Sequence, residues 1–150
     1  MKLINDDILS NINPDIVTVV LHGANCQNIM GAGIARYLRD KFPAIYIEDC
    51  KTKKGDINKL GKFSFARIDK SLFIFNLYTQ FNINKERDVD YEAVYNSLLK
   101  IKKMTDKHMS KGLKIEIRSP QIGCGLAGGE WSIVEKMFDH LLPEAKIYYI

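Results

Sequence analysis

The sequence predicts a three-layer α/β/α domain built on a central mixed sheet of about six strands. Three observations carry that prediction. Runs rich in β-branched and aromatic residues alternate along the chain with amphipathic, helix-like stretches. The interval between Ile68 and Ser71 is short enough for one antiparallel hairpin within this order. Two glycine-rich stretches, residues 25–35 and 119–129, each follow a strand-like run and lead into a helix-like one.

Residues 2–4 read as a short opening strand. Residues 16–21, Ile-Val-Thr-Val-Val-Leu, form the continuous apolar run expected of a strand buried on both faces. Residues 33–41 follow as a helix with Ile34, Leu38 and Phe42 on its apolar side, closed by Pro43. The hairpin strands are residues 61–67 and 72–78. The longest helix is 90–109, where Tyr91, Val94, Tyr95, Leu98, Leu99, Ile101 and Met104 outline one face and Gly112 stops it. A strand at 113–118, a helix at 131–141 and a strand at 146–149 complete the chain. With no internal repeat, low-complexity tract or linker, residues 1–150 are expected to form one domain.

Composition narrows the function classes. The 150 residues are 46% hydrophobic and 27% charged, as in an ordinary soluble protein. No apolar run reaches the ~20 residues of a membrane helix. Residues 1–7 turn acidic where a signal peptide needs an apolar core, so a cytoplasmic monomer without membrane association is expected. Cys26, Cys50 and Cys124 cannot all pair within one chain and lack zinc spacing, which reads as three reduced thiols. No Asp, Glu and His cluster has metal-ligand spacing, so neither metal nor cofactor is expected. The net charge of +4 is too small to establish nucleic-acid binding, although Lys51, Lys53 and Lys54 and the series Lys100, Lys102, Lys103, Lys107, Lys111 and Lys114 concentrate it.

The glycine-rich loops point to a phosphate-bearing ligand. Without a Cβ, glycine lets backbone N–H groups approach a ligand closely, and such groups beside a helix N-terminus form an anion site. Two such loops suggest a diphosphate gripped from two sides. A dinucleotide fingerprint does not fit: Gly31-Ala32-Gly33-Ile34-Ala35-Arg36 has two of the three glycines and stands nine residues beyond its expected strand. The stretch starting at Gly123 has all three glycines, but the strand after it ends the chain without the ribose-binding acid. Neither loop ends in the Gly-Lys-Ser/Thr of a Walker P-loop.

Several of these residues together resemble the macro domain family, the ADP-ribose-binding modules. Asn25-Cys26, the run from Met30 to Ala35 and Lys41-Phe42-Pro43 look like that family's first ligand loop and helix. The run from Ser119 to Leu126, followed by Trp131, is similar to its second loop. Asp6-Asp7-Ile8 resembles the Gly-Asp-Ile/Leu signature, with Asp6 in place of glycine, and Tyr148-Tyr149-Ile150 resembles the closing strand. The similarity runs the length of the chain. It is strongest to small stand-alone members, among them ADP-ribose 1″-phosphate phosphatases and glutamate-linked ADP-ribose hydrolases.

The resemblance implies a role for each matching residue. Asp7 would accept a hydrogen bond from the adenine amino group and Ile8 would offer its backbone N–H, although Asp7 also suits the first turn of a short helix. Gly31, Ala32, Gly33 and Ile34 with Gly123, Cys124, Gly125 and Leu126 would wrap the diphosphate and distal ribose. Asn25 would orient that ribose, or serve as a turn-forming residue. Tyr78 would line the pocket beside it, or belong to the core. The glutamate-linked hydrolases use a lysine and an aspartate where this chain has Gln80 and Ala127, which argues against their mechanism. His22 matches a histidine of the phosphatase-like members and is the catalytic candidate, as nucleophile or proton shuttle; the plain alternative is a hydrogen-bonded histidine without chemistry. Glu86, Asp88 and Asp90 are candidate bases, and His108 and His140 read as surface residues. The implied activity is removal of phosphate from ADP-ribose 1″-phosphate. Alternatives are release of ADP-ribose from protein or nucleic acid, non-catalytic reading of ADP-ribose, and plain nucleic-acid binding.

Overall fold

The computed structural model describes residues 1–83 and 88–150. In chain order the elements are β1 (Lys2–Asn5), β2 (Val17–Asn25), α1 (Gly33–Lys41), α2 (Ala44–Cys50), a 3-10 turn (Ile57–Lys59), β3 (Phe63–Arg67), β4 (Leu72–Gln80), α3 (Tyr91–Met109), β5 (Ile115–Ser119), α4 (Trp131–Leu141) and β6 (Lys146–Tyr149). The strands form one sheet in the order β1-β6-β5-β2-β4-β3. Every neighbouring pair is parallel except the antiparallel β3–β4 hairpin. The mixed six-stranded α/β architecture is the one expected from the alternating runs.

Period-two alternation along the central strands splits the core. From β2, Val19 and Leu21 join Phe75 and Leu77 of β4 beneath α3 and α4, where Leu98, Ile101, Val134 and Phe138 fill the layer. Val20 and Ile74 face the other way, against Leu38 of α1 and Ile45 of α2. The run at 16–21 is therefore buried on both sides, as an apolar strand of this kind requires. Asp90 caps α3, its carboxylate accepting from the Ala93 N–H at 3.0 Å. Among the described residues no helix is long and apolar enough to cross a membrane.

Two features depart from the sequence reading. Pro43 closes α1 but also serves as the N-cap of α2, with φ of −55° in the helical region. The strands β2 and β4 run on to Asn25 and Gln80, pairing His22 with Asn76, Gly23 with Leu77 and Ala24 with Tyr78. The first glycine-rich loop thus starts much closer to its strand than the apolar run suggested.

Candidate functional site

β2 and β5 are parallel neighbours whose following segments part company. The chain leaves β2 for α1 on one face and leaves β5 for α4 on the other. Such divergence opens a crevice beyond the carboxyl ends of the strands. Here it is a cleft of about 870 Å³. It reaches from Asp6 and Asp7 after β1 and Tyr148 of β6 to Gln80 of β4. From β1 to β4 is four strand spacings, roughly 19 Å at ~4.8 Å each.

The first loop is set by a bulge. Pairing between β2 and β4 shifts between Ala24 and Asn25, a device that re-aims a strand end. Asn25 lines the cleft, but its amide is spent largely on its own loop. Oδ1 accepts from the N–H groups of Gln27 (2.9 Å) and Ile29 (3.3 Å), and Nδ2 donates to the Ile29 carbonyl at 2.7 Å. These bonds fit the turn-forming alternative. Beneath it, the buried Lys59 ammonium donates to Asn28 Oδ1 (2.6 Å) and to the Cys26 carbonyl (3.3 Å). Asn28 itself stands at φ +56°, a conformation asparagine tolerates better than most residues. The loop then opens α1, whose N-cap, Ala32, offers no side-chain acceptor. The N–H groups of Gly31, Ala32, Gly33, Ile34 and Ala35 find no acceptor among the described residues, and all five residues line the cleft. This is a helix N-terminus with its donors unspent.

The second loop closes on itself. The Gly129 N–H donates to the Gly123 carbonyl at 2.7 Å, and those of Asp88 and Val89 donate to the Ala127 carbonyl at 2.9 and 3.2 Å. Gly123 sits at φ +76°, and a Cβ there would lie 2.5 Å from Val89 Cγ2. Glycine is required at that position by both backbone and packing. Gly123, Cys124, Gly125 and Leu126 all line the cleft, with Leu126 among the most exposed apolar side chains. Burial pushes the Cys124 thiol up to about 11, which disfavours the thiolate at neutral pH.

At the β1 end Asp7 takes the turn-capping part foreseen for it and also lines the cleft. Its Oδ1 accepts from the Leu9 N–H at 2.8 Å, capping a turn, while the residue lines the cleft beside Ile8. Oδ2 accepts from the Tyr37 hydroxyl at 2.6 Å. The Tyr37 bond, helped by Leu9, holds the Asp7 carboxyl below its ordinary range and raises the tyrosine to about 12. Sequence reasoning missed Tyr37, although its place one turn into α1 after the loop was the available signal. It also missed Tyr148 as a cleft residue.

Two expectations are corrected. His22 lies within the paired part of β2, 0% exposed, and does not line the cleft. Its Nε2 lies 2.5 Å from Asn76 Oδ1 and its Nδ1 lies 3.2 Å from the Gly23 carbonyl. The Asn76 amide nitrogen donates to the Ile45 carbonyl and Ser64 Oγ, which leaves Oδ1 to accept from Nε2–H. Desolvation outweighs both contacts and keeps the ring below its usual pKa. A buried neutral imidazole with no path to ligand is a packing residue, neither nucleophile nor shuttle. Tyr78 is likewise interior: its hydroxyl reaches Asp49 Oδ1 (2.7 Å) and Ser64 Oγ (2.8 Å), and its ring lies 4.7 Å from the Lys59 ammonium.

Gln80 and Ala127, where the other mechanism needs lysine and aspartate, both line the cleft. So does Asp88, beside the Gln80–Val89 bridge at the β4 end. Asp90 is occupied as the α3 cap, Glu86 lies outside the described residues, and His108 and His140 are exposed on α3 and α4. Among the described residues no lysine, arginine or histidine lines the cleft. Among the described residues, the donors that line the cleft beside an anion are backbone N–H groups.

No family model matches the chain. A protein of Enterobacteria phage T4, the uncharacterized 17.5 kDa protein in the tk-vs intergenic region, is 35% identical over 154 residues, covering 95% of this chain and 96% of its own. An ADP-ribose 1″-phosphate phosphatase of Scheffersomyces stipitis is 27% identical over 172 residues, covering 100% and 99%. Among solved structures, a macrodomain protein from Streptomyces coelicolor superposes with a TM-score of 0.73 at 20% identity, covering 99% of this chain and 98% of its own. Thermosipho africanus DarTG in complex with ADP-ribose gives 0.67 at 22% identity over 87% of this chain and 37% of that one.

Proposed function

The chain belongs to the macro domain family, and on that premise we propose that its cleft binds ADP-ribose and hydrolyses ADP-ribose 1″-phosphate. One observation carries the binding half: the uncapped N-terminus of α1, with the N–H groups of residues 31–35 unspent, and the second glycine-rich loop line one cleft that no basic side chain lines among the described residues. A diphosphate is an anion that such a pair of loops neutralises by oriented dipoles. Asp7 and Ile8 lie at one end for an adenine, and Gln80 and Asp88 lie roughly 19 Å away for the second ribose.

The reaction half is supported by the Scheffersomyces stipitis relative. Water attacks the terminal phosphorus, the bond between phosphorus and the ribose oxygen breaks, that oxygen takes up a proton from solvent, and ADP-ribose and inorganic phosphate leave. Asp6 and Asp7 belong to the far end of the cleft, and His22 is walled off. Asp88 is the described carboxylate at the distal end that takes the proton from the attacking water.

Calorimetric titration with ADP-ribose, followed by phosphate release from its 1″-phosphate, tests both halves. Heat with turnover, together with an Asp88→Asn variant that binds ADP-ribose normally but releases phosphate at least tenfold more slowly, is the expected result. Binding without turnover selects a non-catalytic reader. No heat at high ligand concentration overturns the reading.

A further inference from the structure

Arg118, near the end of β5, is 2% exposed and does not line the cleft. Its guanidinium is nonetheless tied to the cleft's β1 end from below. Nη1 donates to the carbonyls of Ile8 (2.9 Å) and Ser10 (2.5 Å), and Nη2 donates to that of Asn11 (3.1 Å). Nε donates to Glu116 Oε2 at 2.7 Å, and Glu116 in turn is paired with Lys146. The guanidinium carbon stands 5.0 Å from the centre of the Tyr148 ring. Tyr148 itself lines the cleft.

Those three carbonyls belong to the irregular turn that follows Asp7. Within it, the Ser10 N–H donates to the Asp7 carbonyl, and Asn11 sits at φ +52°. The turn belongs to no helix or strand; Ile8 packs in the core beside Leu38 and Tyr148, and Tyr37 of α1 donates to Asp7. To these contacts Arg118 adds a planar fork of donors reaching three backbone carbonyls at once, an arrangement that lysine, a single point donor, does not reproduce. A recognition group must be held within about 0.5 Å by the shell behind it.

We propose that Arg118 is a positioning residue for base recognition, fixing the Asp7 carboxylate and Ile8 N–H so that the cleft selects an adenine over a base lacking the exocyclic amine. The inference rests on the reading of the cleft as an ADP-ribose site. The hydrogen bonds of Arg118 go to Ile8, Ser10, Asn11 and Glu116 and to neither glycine-rich loop. Loss of Arg118 therefore weakens discrimination between bases rather than binding as a whole.

The test is calorimetric titration of wild type, Arg118→Lys and Glu116→Gln with ADP-ribose and with its inosine counterpart, in which the amino group is replaced by oxygen. Wild type prefers ADP-ribose about tenfold or more, as expected for one hydrogen bond to a carboxylate. Arg118→Lys loses that preference, with affinity for the inosine ligand held. Glu116→Gln, which keeps the guanidinium but loosens its anchor, loses part of it and carries the test if Arg118→Lys does not fold. An equal loss for both ligands, or a retained preference in a folded variant, overturns the proposal and leaves the cleft assignment standing. Wild type that binds neither ligand overturns both.

Discussion

Gly123→Ala is the sharpest perturbation of the cleft. At φ +76° an L-residue costs about 1–2 kcal/mol relative to glycine. The new methyl meets Val89 Cγ2 at 2.5 Å and Val89 Cβ at 3.3 Å. Val89 is β-branched and cannot swing its methyls away without moving its own backbone, so overpacking adds roughly 1–3 kcal/mol. The two effects relax together, giving a net loss of about 2–4 kcal/mol and, for a chain of this size, a melting temperature lower by roughly 5–15 °C. Scanning calorimetry reads that shift. The Gly123 carbonyl accepts from Gly129, so the strain is transmitted across the loop and ADP-ribose affinity falls with it. Val89→Ala in the Gly123→Ala background returns part of the lost stability, a coupling that a double-mutant cycle isolates. Gly125→Ala is the control: its Cβ meets nothing within 4 Å and its φ is not positive, so stability holds. A melting temperature unchanged by Gly123→Ala would refute the packing argument.

Two further outcomes follow from the buried groups. His22 is neutral in the fold and protonates freely in the unfolded chain below the ordinary value of 6.5, so its contribution is intact above that pH and is lost as pH falls. Urea unfolding of wild type should lose up to about 1.4 kcal/mol per pH unit below 6.5, down to the folded pKa, relative to His22→Gln; parallel pH profiles would contradict the buried neutral ring. Among the thiols, exposed Cys50 should react first with a disulfide reagent at pH 8, while Cys124, raised to about 11, is thiolate at only about one part in a thousand. Rapid labelling of Cys124, measured by peptide mass, would mean that the second loop opens.

Local sequence located most of the scaffold because local physics fixes it. α1 and α4 have the predicted bounds, since the loop glycines, Pro43 and Trp131 mark their ends. What was not legible depends on pairing across the sheet. Gly23, Ala24 and Asn25 have no strand character of their own, yet β4 recruits them into the ladder and so buries His22 three residues below the strand end. Glycine-rich loops were legible as ligand loops because their composition is needed for their backbone. Arg118 was not, because the alternation Ile115-Glu116-Ile117-Arg118 reads as a half-exposed strand; only the carbonyls of a distant turn turn it inward. Lys59, Asp49 and Tyr78 were hidden for the same reason, each buried charge or hydroxyl being satisfied by groups remote in sequence.

The charge of the chain and the charge of its ligand are separate matters in this fold. α3 begins two residues after Val89, at the cleft end of the sheet, and runs back towards the amino edge, where Lys114 precedes β5. At 1.5 Å per residue its 19 residues carry the chain about 28 Å, so Lys102, Lys103 and Lys107 stand roughly 15 Å or more from the cleft. That exceeds the ~8–10 Å screening length at ordinary ionic strength. The lysines of the later half of α3 thus lie beyond electrostatic reach of the cleft. On the proposed reading, recognition at the cleft rests on amide dipoles of two loops, with Gly33 and Gly123 at the positive φ that glycine favours. Such donors fit one arrangement of phosphate oxygens, whereas mobile lysines would accept many. On the proposed reading, selectivity for a diphosphate between two sugars comes from the geometry of two loops, with Lys102, Lys103 and Lys107 standing apart from the cleft.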